Sequence, residues 1–337
     1  MQIQSSLTRI ASRRRSVCLA AALSCALLAP AFAADEVFPT RPVHVVVPFA
    51  AGNTLDNALR QVAEEYRKST GQPMIIENKP GGAGLIAAQQ VARATADGYT
   101  LLLVNTSMLT INPYTFKKKL PYDADKSFKY ATGLLGSTLV LAANKTVPAN
   151  NLQEFAQWSR TQKNPVSYAS FTAGNSSHFA GVILNEKLGL NLVHVPFNGT
   201  PPAVQNLIGE QVQTAFLPLP AVKPHVDTGK VKVLGVSGPK RSELLPDVQT
   251  FAEQGVPEMT LYVWSGFAAP AGTPDAVFNK LSEDINKILR SQDIRTKWRD
   301  MDFTPLPMTP AEFTSYIRDE SSRWRKVVEV SGFKIED

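Results

Sequence analysis

The sequence predicts an α/β protein with two domains, and three observations indicate this. Short runs of Val, Ile and Leu alternate with longer amphipathic segments, and the alternation begins near residue 43 and again near residue 139. The chain has 337 residues, of which 44% are hydrophobic and 19% charged, as is usual for a globular protein of two domains. Because apolar strands that alternate with helices form parallel sheets covered on both faces, we expect one such sheet in each domain.

Residues 1–33 have the pattern of a secretory signal peptide. Arg9 and the arginine cluster at 13–15 precede an apolar run at 17–29, and Ala31 and Ala33 form a small-x-small cleavage site. The apolar run is shorter than the roughly 20 residues that a membrane-spanning helix needs. We therefore expect cleavage near Ala33 and export, with the periplasm as the predicted location.

Charge and cysteine content exclude several classes of function. The whole chain has 35 basic and 29 acidic residues, a net charge of +6, but the signal peptide holds four of the basic residues and none of the acidic ones, which leaves +2. So small a charge predicts no nucleic-acid-binding surface. Cys18 and Cys25 both lie in the signal peptide, so the mature chain has no thiol for catalysis, a disulfide or a metal cluster.

The apolar and amphipathic segments give the predicted elements in chain order. Domain 1 begins with strands at 43–49, 73–77 and 99–105 and helices at 55–69 and 85–94. Domain 2 has strands at 139–143, 166–170, 192–196, 212–216 and 231–237, with its first helix at 152–161. A strand at 261–268 and two charged helices at 275–299 and 311–330 follow, without further strands.

The two terminal helices have no sheet of their own, so we expect the chain to return to domain 1. This predicts that domain 1 comprises 35–138 plus 259–337 and that domain 2 comprises 139–258. The two crossings, near 138 and 259, would then form a two-strand hinge that allows closure about a ligand.

Four strand-to-helix loops combine residues that allow close backbone approach with hydroxyl or amide side chains. Loop 1 contains Phe49, Ala50, Ala51, Gly52, Asn53 and Thr54; loop 2 contains Asn105, Thr106 and Ser107; loop 3 contains Ser170, Phe171, Thr172, Ala173, Gly174, Asn175, Ser176 and Ser177; loop 4 contains Phe197, Asn198, Gly199 and Thr200. Open α/β sheets bind ligands at the carboxyl ends of their strands, and free N–H groups at helix N-termini attract anions. Two loops from each domain could therefore hold one small carboxylate. The alternative is that these residues serve only as helix caps and turns.

Enzyme motifs are weak in this sequence. The stretch 82–87 fits the dinucleotide pattern G-x-G-x-x-A, but the next strand ends at Asn105 without an acidic residue to hold a ribose. A G-x-S-x-G nucleophile motif and zinc-ligand spacings are both missing from the sequence. His178 follows loop 3 and is a candidate to cap or line the cleft, whereas His44 and His194 are expected in the core or at a sheet edge. We expect no catalytic residue, no metal and no cofactor.

Ten short segments, spread in order along the whole mature chain, resemble the Bug family. They are FPTRP at 38–42, VPFAAG at 47–52, ENKPGGAG at 77–84, DGYTLL at 97–102, LPYD at 120–123, VHVPF at 193–197, LIG at 207–209, KRS at 240–242, LPDV at 245–248 and APAGTP at 269–274. Bug proteins are the extracytoplasmic solute receptors of tripartite tricarboxylate transporters. The resemblance implies a type 2 periplasmic-binding-protein fold, in which two α/β domains close over a small organic carboxylate.

The resemblance also implies which residues hold the ligand. Family ligands are bound by backbone N–H groups, small hydroxyl side chains and bridging water. By position, residues 49–54 with Asp56 resemble the first carboxylate-holding loop, Thr106 and Ser107 the second, 170–178 the third and 197–200 the fourth.

Four departures from the family pattern bear on the ligand. Asn53 replaces a common Gly, Phe171 stands where a small residue is usual, Phe197 replaces a frequent Tyr, and Leu217-Pro218 falls where a polar pair is common. A more apolar cleft would suit an aromatic dicarboxylate such as terephthalate. Aliphatic di- and tricarboxylates and amino acids are the competing ligands, and the aromatic rings could instead pack inside the domains.

The prediction is therefore a monomeric, non-enzymatic receptor that captures a small organic carboxylate and delivers it to the membrane permease subunits of a tripartite transporter. A ligand that bridges both domains would favour a closed, Venus-flytrap state. Two other functions stay open at this point: an exported α/β enzyme acting on a carboxylated substrate, and a ligand sensor that feeds a signalling partner.

Overall fold

The structure, a computed structural model, describes residues 38–118 and 120–335. The predicted signal peptide, 1–33, lies outside the described residues. The strands are β1 (Val43–Val47), β2 (Met74–Asn78), β3 (Thr100–Asn105), β4 (Phe128–Ser137), β5 (Leu139–Asn144), β6 (Ser167–Ser170), β7 (Val193–Pro196), β8 (Thr214–Pro218), β9 (Val231–Val236), β10 (Val263–Pro270) and β11 (Phe303–Pro305).

The α-helices are α1 (Thr54–Thr70), α2 (Leu85–Ala92), α3 (Asn112–Thr115), α4 (Leu152–Thr161), α5 (Ser176–Leu188), α6 (Thr200–Ile208), α7 (Leu219–Asp227), α8 (Asp275–Leu289), α9 (Gln292–Arg299) and α10 (Pro310–Ser331). Short 3₁₀ helices lie at Gly82–Gly84 and Pro257–Met259, and a π-helix at Ser107–Ile111. In the part of the chain that the structure describes, no helix has the length and apolar character needed to cross a membrane.

The strands form two sheets, so the predicted α/β class is confirmed. The first sheet has the order β11-β4-β10-β3-β1-β2 and the second the order β7-β6-β8-β5-β9. The expectation of parallel sheets is wrong in part, because both sheets are mixed. β1 pairs in parallel with β2 and β3, but β10 runs antiparallel between β3 and β4. In the second sheet β6 is parallel to β7 and β8, whereas β5 is antiparallel to β8 and β9.

The C-terminal region differs from the prediction in two ways. The helix expected at 275–299 is two helices. The first, α8, ends at Leu289, and Ser291 then caps α9 by accepting a hydrogen bond from Ile294 N. A further strand, β11, then pairs antiparallel with β4, although no strand was expected after residue 268. Strand β4 itself was not predicted.

The chain passes from one sheet to the other with a single residue, Thr138, between β4 and β5. The return passage is hydrogen-bonded to the first: Leu139 N donates to Ser237 Oγ at 2.8 Å, and Ser237 Oγ donates to Leu261 O at 2.9 Å. Asp302 accepts hydrogen bonds from the hydroxyls of Thr138 and of Ser242, the latter at 2.5 Å. The two passages are thus bound together, while the domain boundaries drawn from the sequence remain a prediction.

Each sheet has its own buried apolar residues, and a further apolar cluster lies between the two sheets. That cluster contains Ile111, Leu139, Phe179, Leu261, Trp324 and Val328, all buried. Trp324 and Val328 come from α10, the last helix, so this helix packs against residues that belong to both sheets. The cluster lies next to loops 2 and 3, since Ile111 ends the π-helix and Phe179 is in the first turn of α5.

Candidate ligand-binding site

The four loops lie in two adjacent pairs at the carboxyl ends of parallel strands. Loops 1 and 2 follow β1 and β3, which pair with His44 opposite Thr100 and Val46 opposite Leu102. Loops 3 and 4 follow β6 and β7, which are parallel over their whole length. Because parallel neighbours end at the same edge of a sheet, each sheet presents two of the four loops side by side.

Asp56 organises loop 1. It is 1% exposed, and its Oδ2 accepts from Gly52 N at 3.0 Å and from Arg60 Nε at 2.9 Å. Burial opposes its ionisation, but the hydrogen bonds from Arg60, Gly52 and Asn78 outweigh burial and lower the pKa of the Asp56 carboxyl. A buried anion with these partners positions the loop, so Asp56 is itself poorly suited to contact an anionic ligand.

Asn53 and Asn78 complete loop 1. Asn53 Oδ1 caps α1 by accepting from Asp56 N at 2.8 Å, and Asn53 Nδ2 donates to Ala50 O at 2.9 Å. Asn78 Nδ2 donates to Phe49 O at 3.1 Å and to Asp56 Oδ1 at 3.0 Å. Asn78 was not among the predicted site residues, although its position at the carboxyl end of β2, next to β1, was a usable signal.

The two predicted hydroxyls of loop 2 have different roles: one is bonded within the protein and the other is partly exposed. Thr106 is buried, and its Oγ1 accepts from Trp264 N at 2.9 Å and lies 3.3 Å from Trp264 O, which fixes the loop to β10. Ser107 is partly exposed at the start of the π-helix. Its hydroxyl has no hydrogen-bond partner among the described residues, which leaves it available to a ligand.

Loop 3 uses most of its helix-start N–H groups internally. Asn175 Oδ1 accepts from Ser177 N at 3.0 Å and from His178 N at 3.2 Å. Gly174 N donates to His178 Nδ1 at 3.2 Å, and Phe171 N donates to Ser177 Oγ at 3.3 Å. The N–H groups of Ser177 and His178 at this helix start are therefore not free to meet an anion, and neither are those of Phe171 and Gly174 before it. Ser176, in the first turn of α5, keeps a hydroxyl that bonds to no described residue.

Loop 4 is hydrogen-bonded to loop 3. Phe197 N donates to Ser170 O at 3.0 Å, and Gly199 N donates to Phe171 O at 2.8 Å. After Thr200, α6 continues with two prolines, which have no N–H, so this helix start offers fewer donors than an ordinary one. The amide of Asn198 is exposed and has no partner within the described ranges.

His178 and His194 form a stacked pair that the sequence did not predict. Their ring centroids are 3.8 Å apart with an angle of 12° between the planes. His194 Nε2 lies 2.6 Å from Ser170 Oγ, and the edge of Phe333 contacts the His178 ring at 4.8 Å. Burial lowers the pKa of His178 to about 4; burial and the charge of His178 lower that of His194 to about 3. Both rings are thus neutral at pH 7.

The two predicted aromatic residues of the site, Phe171 and Phe197, are only partly exposed to a ligand. Phe171 and Phe197 are both half-buried, and both pack against the core of the second sheet. Phe171 also contacts the cluster between the sheets. Leu217 is fully buried in the second core, so it is no cleft wall, contrary to the expectation from the sequence.

The C-terminal segment also reaches these loops, a contact that was not predicted. Gly174 has a φ of +73°, and a Cβ on it would lie 2.8 Å from the Phe333 ring. Ile335, two residues after Phe333, donates its N–H to Thr115 O at 2.8 Å, and Thr115 lies in α3 directly after the π-helix of loop 2. One short segment therefore contacts both loop 3 and α3, the helix that follows the π-helix of loop 2.

The described residues form no metal site, and a groove elsewhere on the molecule lies apart from the four loops. Across residues 38–118 and 120–335, no three His, Cys, Asp or Glu side chains cluster as metal ligands. A shallow groove of about 450 Å³ lies between α8 and the start of α10. It is lined by Asn279, Ser282, Glu283, Asn286, Lys287, Arg290, Ser291, Thr309 and Pro310, none of which was predicted as a site residue.

A family model described as the tripartite tricarboxylate transporter family receptor matches residues 58–333. The chain belongs to this receptor family. The predicted resemblance to Bug proteins is confirmed, and the solved structure of periplasmic binding protein BugD is similar: it is 31% identical, covers 89% of this chain and 100% of its own, and has a TM-score of 0.75. As a member, the chain is a solute-binding receptor and not an enzyme.

Two further receptor structures contain ligands. Rpa4515 of R. palustris, solved with adipate, is 28% identical over 88% of this chain and 99% of its own, with a TM-score of 0.79. MatC of Rhodopseudomonas palustris, solved with bound malate, is 34% identical over 86% of this chain and 100% of its own, with a TM-score of 0.73. Both ligands are dicarboxylates.

Proposed function

We propose that this receptor captures a small dicarboxylate in the periplasm and delivers it to the membrane subunits of a tripartite transporter. The observation that carries the proposal is the pairing of loops at each sheet edge, in a receptor whose structural relatives hold adipate and malate. Two sheets that each present two polar loops suit a ligand with an acid group at each end.

The loops predict how a dicarboxylate would be held. Loops 1 to 4 contain no Lys and no Arg, so the donors that the loops themselves offer to a carboxylate are neutral. The hydroxyls of Ser107 and Ser176 and the amide of Asn198 bond to no described residue, which makes them the leading side-chain donors. Hydrogen bonds from neutral groups to a charged acceptor contribute more than neutral pairs do, and bridging water extends their reach.

Within the dicarboxylates, we propose that an aromatic diacid such as terephthalate is bound. The half-buried rings of Phe171 and Phe197 lie in loops 3 and 4, beside the hydroxyl and amide donors. Their exposed faces would contact a flat ligand, although part of each ring packs on the second core. Malate and adipate are the aliphatic competitors.

Capture and delivery are linked by closure. A ligand that contacts loops from both sheets binds a closed state better than an open one, and it therefore shifts the population towards closure. The single-residue passage at Thr138 and the return near Ser237 are the points about which the two sheets would rotate. The membrane subunits would then recognise the closed, loaded receptor.

A thermal-shift screen followed by calorimetry tests this function. Protein recovered from the periplasm of an expression host is screened against malate, adipate, terephthalate, citrate and aspartate, because a ligand raises the melting temperature by mass action. We expect a clear shift with at least one dicarboxylate. Mass spectrometry of the same preparation reads the cleavage site, expected near Ala33. If every carboxylate leaves the melting temperature unchanged, the proposed ligand class is wrong.

The aromatic ligand is tested with Phe171→Ala and Phe197→Ala. We expect each variant to weaken terephthalate binding and to leave malate binding nearly unchanged, since malate has no ring to stack. Unchanged affinity of both variants for every aromatic acid would exclude the aromatic proposal while leaving the dicarboxylate proposal intact.

A further inference from the structure

The proton positions of the stacked histidines follow from their hydrogen bonds. Gly174 N–H donates to His178 Nδ1, so this nitrogen carries no proton, and the neutral ring carries its proton on Nε2. Ser170 has a single hydroxyl proton, which it donates to Thr172 O at 3.1 Å. With that proton on Thr172 O, the contact between Ser170 Oγ and His194 Nε2 at 2.6 Å assigns His194 Nε2 as the donor.

His178 is held on several sides. Its ring stacks on His194 at 3.8 Å and on Phe179 at 4.8 Å, and Phe333 contacts it edge-on. It is 7% exposed. Its Nδ1 accepts from Gly174 N, whereas its Nε2–H donates to no described residue. A donor held this firmly and left unpaired beside loop 3 is suited to a carboxylate oxygen.

We propose that His194 is a positioning residue, which holds His178 so that its Nε2–H donates to a carboxylate of the ligand. The argument rests on the proposed function for the ligand and on this structure for the geometry. His194 contributes twice: its ring supports the face of His178, and its bond to Ser170 fixes β7 to the start of loop 3. A neutral donor also suits a receptor that must release its ligand, because no buried ion pair has to be broken.

The first test reads the tautomers in the ligand-free protein. Two-bond ¹H–¹⁵N correlation spectra of the periplasmic protein at pH 7, with ¹⁵N-labelled histidine, should show both His178 and His194 protonated on Nε2. Adding a saturating concentration of the diacid found in the screen should move the His178 Nε2 signal and leave that of His194 nearly unchanged. A proton on His178 Nδ1, or a doubly protonated ring, would overturn the proposal.

The second test separates the two contributions of His194. His194→Phe keeps a ring but loses the donor to Ser170, and His194→Gln keeps a donor but loses the ring. We expect each to weaken binding of the diacid roughly tenfold, which is the effect of one net hydrogen bond, and His178→Phe to weaken it at least as much. His44→Gln is the matched control, since His44 is also a strand histidine but lies on β1 against Glu77 at 2.5 Å.

The outcomes distinguish this inference from the proposed function. If the wild-type protein binds no carboxylate, the proposed function fails, and the tautomer spectra still test the geometry. If the wild type binds a diacid and both His194 variants bind it with unchanged affinity, His194 positions nothing, and the inference is wrong. The spectra need only wild-type protein, so a variant that fails to fold does not remove the test.

Discussion

Acid should destabilise the receptor through its two stacked histidines. Burial lowers the pKa of His178 to about 4, and burial with the charge of His178 lowers that of His194 to about 3, against about 6.5 for an unfolded histidine. The folded protein therefore binds fewer protons than the unfolded chain at any pH between the folded values and 6.5. The stability is fully present above pH 6.5 and is lost as the pH falls through this window.

The expected loss can be worked out for a drop from pH 7 to pH 5. Over that interval the unfolded histidine becomes almost fully protonated while the folded one does not, which costs about 2 kcal/mol of unfolding free energy for each histidine. The pair together should cost about 4 kcal/mol. Burial raises the pKa of the Asp302 and Glu320 carboxyls, so these groups act in the opposite direction and must be cancelled by a comparison.

Urea unfolding at pH 7 and pH 5 provides that comparison. The wild type is measured beside the double variant His178→Phe with His194→Phe, which retains two stacked rings but cannot titrate. We expect the pH-dependent loss of unfolding free energy to be about 4 kcal/mol smaller in the double variant. In the wild type, the Cε1–H chemical shifts of His178 and His194 should stay nearly constant from pH 7 to pH 5. An equal loss in both proteins, or titration of either ring near pH 6, would refute the reasoning.

Three further changes have expected outcomes that urea unfolding can measure. Asp302→Ala should lower the free energy of unfolding by about 2 kcal/mol, because it leaves two buried hydroxyls at the passage between the sheets without an acceptor. Gly181→Ala should cost about 3 kcal/mol, since the new Cβ would lie 2.2 Å from the Tyr168 ring. Asn53→Ala removes the cap of α1 and should cost about 1 kcal/mol, and it should also weaken diacid binding because loop 1 loses a support. A loss below about 0.5 kcal/mol in any of these would contradict the corresponding contact.

The sequence predicted most strands because buried strands leave a continuous apolar run. β4 escaped prediction for a physical reason: it contains Gly133 and Gly136, which are unfavourable in strands by themselves. The folded protein requires both, because a Cβ at Gly133 would lie 2.6 Å from Leu306 O and one at Gly136 would lie 2.9 Å from the Tyr262 ring. Only the packing against the later segment explains these glycines, and a local pattern contains no record of it.

The direction of a strand in the sheet also could not be predicted from the local sequence pattern. β10 has the same apolar character as a parallel strand, yet it lies antiparallel between β3 and β4. Its direction follows from the route of the chain, which returns from the second sheet to insert a strand into the first. The same limit applies to the histidine pair. His178 and His194 lie on different elements, and their contact depends on how α5 packs over β7.

The candidate site shows why the loops were easier to predict than the roles of their residues. Hydroxyl and amide side chains at strand ends serve two purposes that look identical in sequence. The side chains of Asp56, Thr106 and Asn175 accept hydrogen bonds from backbone N–H groups of their own loop or of a neighbouring strand. Ser107 and Asn198 have no such partner in the described part of the chain.

This division has a consequence for how the receptor discriminates between ligands. Residues whose side chains are hydrogen-bonded within the protein fix the shape of each loop. Changing them would therefore weaken binding of every acid alike. The unpartnered groups and the exposed faces of Phe171 and Phe197 are the ones that can change without altering the loop backbone. Specificity among diacids should therefore depend on the latter set, because substitutions there alter contacts with the ligand and leave the supporting hydrogen bonds in place.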